Sequence, residues 1–275
     1  MLKQRILTAI PLALVVGWLI FFQPTSVFFY FLLFIAVVAG YEWAKLSGVG
    51  NMAARLTFSV LITALIYLFD RLLPAHTIWS VYVAALWWLS ITFYLKSAVP
   101  SQPSGRFRAD KLLVSLIVLP AAVFAMRDIH QLHQGAQWLF YAMSLVWVAD
   151  IGAYFSGKRF GRRKLSPNIS PGKTREGLIG ALVLTAAYTL LASFYFDLDR
   201  EHAALLILLS VIVTFISVSG DLYFSFLKRE AGLKDSGNIL PGHGGVLDRI
   251  DSVLAAMPVF LLGYHWLIQT GPIAI

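Results

Sequence analysis

Cysteine is absent from the 275 residues, which removes disulfides, thiolate metal ligands and a cysteine nucleophile from consideration. Acidic residues are scarce: 14 Asp and Glu stand against 22 Lys and Arg, for a net charge of +8. No internal repeat and no low-complexity segment is present, which argues against the duplicated halves usual in transporters. Charged residues make up only 13% of the chain while 59% are apolar. A soluble core cannot hide that much apolar surface, so the chain reads as an integral membrane protein.

Runs such as SLIVLPAAVFAM show no period-two alternation, which excludes a strand barrel. Nine mostly apolar stretches are each long enough to cross about 30 Å of hydrocarbon. They cover 6–22, 26–44, 56–73, 77–95, 111–127, 136–156, 176–196, 203–224 and 250–269. Lys and Arg collect on the cytoplasmic side of short loops. With nine spans, all of them except Arg71, Arg127 and Arg200 fall on one side. The expectation is an all-α polytopic membrane protein with the N-terminus cytoplasmic and the C-terminus outside. Four helices (1–97) precede a cytoplasmic connector, AVPSQPSGRFRAD (98–110), and five helices (111–275) carry the chemistry. FFQPTS offers no small-residue cleavage site, so the first run is expected to stay as a helix. The positive charge sits in membrane-flanking loops beside anionic lipid, so nucleic acid is not an expected partner.

Asp150 falls inside the sixth apolar span and Asp221 near the end of the eighth. A lone carboxylate in hydrocarbon is costly, so such residues mark an ion or substrate site unless they bond a neighbouring helix or are protonated. Both helices run toward the cytoplasm, and the ninth starts there with Asp248 and Asp251 in or before its first turn. Four carboxylates from three helices are thus expected to meet just inside the cytoplasmic leaflet. Hard oxygen ligands suit Mg²⁺, whereas zinc would want His or Cys and the hinge offers only His243. Asp221, Ser225 and Lys228 share one face of the eighth helix, and Asp248 and Asp251 one face of the ninth. A metal between those faces would be held by Asp221 and Asp248, with Asp251 and Asp150 as further ligands or supports.

The sixth loop, SGKRFGRRKLSPNISPGKTREG, carries seven basic residues and one acid, Glu176. SPGKT precedes the seventh helix, so Ser170, Lys173 and Thr174 are expected to face an anion at a helix N-terminus. GKT resembles the end of a P-loop, but Pro167 stands where that motif needs Gly, and no strand is expected before it. In the hinge, Pro241, Gly242, Gly244 and Gly245 surround His243. They permit close backbone approach to a phosphate or simply build a tight turn. His243 could act as a general base, a phosphate donor or a nucleotide contact, or serve structure alone.

The hinge SFLKREAGLKDSGNILPGHGGVLDRID, from Ser225 to Asp251, resembles the signature of the phosphatidate cytidylyltransferases, or CDP-diacylglycerol synthases, without departure. DIGAYFSGKRFGRRKLSPNISPGKTREG, from Asp150 to Gly177, is also similar to that family, while the N-terminal half is only generically so. The resemblance implies an enzyme of phospholipid biosynthesis in a bacterial-type inner membrane, acting at the cytoplasmic leaflet as a homodimer. It implies Mg²⁺-dependent transfer of the cytidylyl group of CTP to phosphatidate, with a second cation left open. Asp221 and Asp248 would hold the metal. Lys173, Lys228, Arg229 and Arg249 are the candidate phosphate contacts, with Lys228 and Arg249 counted as catalytic, and Ser170, Thr174, Ser225, His243, Gly244 and Gly245 line the substrates. A CTP-dependent lipid kinase, another lipid nucleotidyltransferase and an ion-coupled transporter are the alternatives.

Overall fold

The structure is a computed structural model that describes residues 2–103, 106–240 and 242–268, with side chains from Ile10 onward. Pro241, the side chains of Lys3 and Arg5, and the chain beyond residue 268 lie outside the described residues. The helices are α1 Leu2–Phe22, α2 Thr25–Leu46, α3 Met52–Leu72, α4 Thr77–Tyr94, α5 Ala109–Gln131, α6 Gly135–Phe160, α7 Arg175–Tyr195, α8 Arg200–Glu230 and α9 Leu247–Gly263. Eight of them, α2 to α9, are long and apolar enough to cross a membrane, α4 and α9 together with the short turns that adjoin them, and the described side chains of α1 form a shorter apolar helix, Ile10–Phe22. Each expected apolar stretch therefore corresponds to a helix, and the protein is an integral membrane protein.

The all-α expectation needs one amendment. Between α6 and α7 the chain forms an antiparallel hairpin, β1 Lys164–Ser166 and β2 Ser170–Thr174, pairing Lys164 with Thr174 and Ser166 with Ser170. Tertiary contacts hold this small sheet. Ile169 in its turn is fully buried, and the Arg229 Nε of α8 donates to the Ile169 carbonyl at 3.4 Å.

At about 46 Å, the 31-residue α8 outruns the roughly 30 Å hydrocarbon core, so its last turns stand in the basic end of the molecule. It packs between α7 and α9 and also meets α4, α6 and β2, while α5 joins α9 to α2, α4 and α6. Helices from both sides of the connector thus share one core. Hydroxyls tie α6, α7 and α8 together inside the bilayer: Tyr141 Oη lies 2.8 Å from Thr189 Oγ1 and 2.7 Å from Ser210 Oγ. Such bonds hold helices where lipid offers no hydrophobic drive to associate.

The basic loops touch one another at one end. Arg108 N–H donates to the Ser47 carbonyl at 2.9 Å, Lys45 Nζ to the Ser236 carbonyl at 3.3 Å, and Ser101 N–H to Glu230 Oε1 at 3.1 Å. The described part of the connector is therefore fastened to the end of α8. Lys111 reinforces the junction with a buried ion pair to Glu230 at 2.8 Å. At the opposite end Arg127 is neutralised by Asp70 and by Asp128, the latter at 2.6 Å.

Candidate active site

Close approach of α6 and α7 creates the site. Small residues line the seam: a Cβ on Gly152 would stand 2.8 Å from the Gly180 carbonyl oxygen, so only glycine permits the spacing. Thr174 ends β2 and begins α7. Its buried Oγ1 accepts from Gly177 N–H at 3.1 Å, capping the helix. Glu176 in the first turn accepts from the Arg162 and Arg163 amides at 3.0 and 3.1 Å, folding the basic loop back over the helix start. With both ends of β2 fixed, Lys173 is carried to α8, where its Nζ lies 2.6 Å from Asp221 Oδ2.

A cavity of about 420 Å³ opens beside this ion pair, walled by α6, the hairpin, α7 and α8. Asp150, Tyr154 and Lys158 enter its wall from one face of α6, at i, i+4 and i+8, and face Lys173 and Asp221. Asp150 lies within electrostatic reach of Asp221, Lys173 and Arg249, and Asp251 within reach of Asp221, Lys228 and Lys173. The Asp251 carboxylate accepts from Ser252 N–H at 2.7 Å, at the base of the cluster. Ser225 Oγ donates weakly to Asp221 Oδ1 at 3.3 Å.

The second ion pair belongs to the hinge. Lys228 Nζ donates to Asp248 Oδ1 at 2.6 Å, while Asp248 Oδ2 accepts from Ser236 N–H at 2.8 Å, Gly245 N–H at 3.0 Å and Ser236 Oγ at 3.0 Å. Gly242 and Gly244 take φ of +75° and +81°, the left-handed region that glycine enters without cost. Between them His243 N–H bonds the Leu240 carbonyl at 2.9 Å, and the His243 carbonyl accepts from Arg249 Nε at 3.1 Å. Arg249 is exposed, as is Arg229.

Several expectations change in detail. SPGKT is a strand rather than a loop, with Gly172, Lys173 and Thr174 on the cavity wall, and a strand does precede Lys173. Thr174 borders the cavity while its hydroxyl caps α7, and Ser170 pairs with Ser166 away from the cavity wall. Gly245 makes room for Ser236 and Glu42, since a Cβ there would collide with both side chains. Asp248 is built into the hinge. Among the described residues no three His, Asp or Glu side chains form a metal site by themselves. Lys158 was legible as the third member of the Asp150 face. Glu42, an acid in an apolar helix, met the same criterion as Asp150, but Ser236 had no signal of its own.

A helical membrane bundle with a charged cavity near one end, furnished with paired lysines and carboxylates, defines a protein that handles an anionic substrate at the bilayer edge. The chain belongs to the cytidylyltransferase family, whose family model matches residues 3–267. It is 39% identical over 264 residues to the phosphatidate cytidylyltransferase of Pseudomonas aeruginosa, covering 94% of this chain and 96% of that one. It is 38% identical over 293 residues to that of Haemophilus influenzae, covering 98% and 100%. Similarity reaches 30% over 258 residues with that of Staphylococcus epidermidis, covering 94% and 97%. Full-length coverage extends the likeness to the N-terminal helices as well as the two motifs.

Proposed function

We propose that the protein transfers the cytidylyl group of CTP to phosphatidate, giving CDP-diacylglycerol and pyrophosphate at the cytoplasmic leaflet of an inner membrane. The carrying observation is the Lys173–Asp221 pair set in a cavity between α6, the hairpin and α8, in a chain whose relatives bear that name along their full length. A phosphatidate phosphate oxygen is already anionic at neutral pH, so it attacks the α-phosphorus without a strong base. The bond from that phosphorus to the β-phosphate oxygen breaks, and pyrophosphate leaves. The obstacle is the approach of two polyanions, which cations and positioning overcome.

Lys173 and Lys158 stand on the cavity wall and Lys228 and Arg249 at the hinge, so the four would draw the triphosphate and the lipid phosphate together. Tyr154 both lines the cavity and is 61% exposed on the outer face of the bundle. That opening favours lateral entry of phosphatidate with its acyl chains still in the bilayer.

Mg²⁺ suits the donors. Asp221 and Asp150 put hard carboxylate oxygens on the cavity wall, and Mg²⁺ commonly completes its shell with water and substrate phosphates, needing few protein ligands. Asp221 would hold it with Asp248, and Asp150 and Asp251 would lend charge; bound there, it would neutralise the reacting phosphates and stabilise the departing pyrophosphate. A homodimer is the working assembly, checked by the light-scattering mass of purified protein.

The test is purified protein with phosphatidate, radiolabelled CTP and Mg²⁺, with and without EDTA. Label in the organic phase matched by pyrophosphate release, both lost with EDTA, is the expected result. CDP release in place of pyrophosphate would make it a kinase, and no lipid labelling would overturn the reaction.

A further inference from the structure

We infer that Glu42 is a positioning residue for the site: this buried carboxylate of α2 seats the start of α9 and, through Ser236, fixes the orientation of Asp248. Glu42 is 1% exposed, about one turn before the end of a helix that contributes nothing to the cavity wall. Three hydrogen-bond donors meet it. Leu247 N–H and Ser236 Oγ donate to Oε2 at 2.8 and 2.9 Å, and Val246 N–H donates to Oε1 at 3.1 Å.

The first amides of a helix have no partner within it, and at a buried end water cannot supply one. Val246 and Leu247, at 9% and 0% exposure, are such an end, and no side chain at the N-cap position serves them. The cap comes instead from 204 residues earlier in the chain. A negative charge there also meets the positive end of the α9 dipole. Glycines are required around it, because a Cβ on Gly237 or Gly245 would collide with the Glu42 carboxylate.

The link to the site is one residue long. Asp248 follows Leu247 directly, and the Ser236 hydroxyl lies 2.9 Å from Glu42 Oε2 and 3.0 Å from Asp248 Oδ2, so the two acids share one donor. One turn along α2, Lys45 Nζ holds the Ser236 carbonyl at 3.3 Å. The N-terminal half thereby grips the hinge at both ends of the segment from Ser236 to Leu247.

The experiment is hydrogen exchange followed by mass spectrometry on the full chain in detergent, paired with steady-state kinetics. In Glu42→Gln the amide nitrogen replaces one acceptor oxygen, so exchange in peptides spanning 243–250 should quicken about tenfold or more while α3 and α7 keep their wild-type rates. Turnover should fall about tenfold or more, with KM for CTP within about threefold of wild type. Ser236→Ala keeps the cap but cuts the bridge. It should lower turnover without quickening exchange at 246–247, and combining it with Glu42→Gln should cost less than the product of the two effects. Wild-type exchange at 243–250 in Glu42→Gln, or quickening spread evenly over all helices, overturns the proposal. So does unchanged turnover in Ser236→Ala, which decides the matter if Glu42→Gln does not fold. The turnover arm rests on the proposed reaction and the exchange arm does not. Failure of lipid labelling in the wild type therefore tells against the reaction, and unaltered exchange against the role of Glu42.

Discussion

At the residue scale, two acids of the site are each answered by one lysine: Asp221 by Lys173 and Asp248 by Lys228, both at 2.6 Å. A polyphosphate entering the cavity competes for those ammonium groups, so the pairs hold the cations in place before substrate arrives. Asp221→Asn removes the counter-charge while keeping the shape, and it should lower turnover by about 100-fold or more with normal membrane insertion and elution profile. The CTP-to-lipid assay beside size-exclusion of the extracted protein checks this. Lys173→Arg should lose about tenfold despite keeping its charge, because a planar guanidinium cannot replace a compact ammonium aimed from a strand at one carboxylate. Asp221 and Asp150 were legible in the sequence because a carboxylate in an apolar run is expensive. Glu42 has the same signature between Gly40 and Trp43, but two of its three partners are backbone amides, which leave no mark in a sequence.

At the scale of elements, the helices could be read and the hairpin could not. Apolar runs of membrane length state themselves through composition. The hairpin's strands of three and five residues hold Pro, Gly and Lys without alternation, and its stability comes from Ile169 and Arg229 rather than from local propensity. The α6–α7 seam that completes the site is testable directly. A Cβ on Gly180 would overlap the Ser156 side chain, so Gly180→Val should destabilise by about 1–3 kcal/mol or more through overpacking. Thermal unfolding in detergent should show the loss together with reduced turnover, while Ile179→Val, at a position 60% exposed on the outer face, should change neither. Thr174→Ala removes the α7 cap and should cost about 1 kcal/mol by the same measurement.

At the scale of the whole molecule, one end gathers the loops after α2, α4, α6 and α8, which hold most of the basic residues, and these loops bond to one another across the bundle. The other end keeps Arg71 and Arg127 beside Asp70 and Asp128. Sequence charge counts alone propose an orientation; the contacts add that the basic loops form a single surface, with the cavity beneath it, so the whole surface must face one compartment. Nucleoside triphosphate is found in the cytoplasm, which makes the orientation decisive for function. The absence of cysteine supplies a clean background for the measurement. Single cysteines at Ala75, exposed in the turn between α3 and α4, and at Asn168, exposed at the tip of the hairpin, report opposite ends. A membrane-impermeant maleimide applied to intact spheroplasts should label Ala75→Cys at once and Asn168→Cys only after permeabilisation. The reverse pattern would put the cavity on the side without CTP and remove nucleotidyl transfer as the protein's role, however well its lysines and carboxylates are arranged.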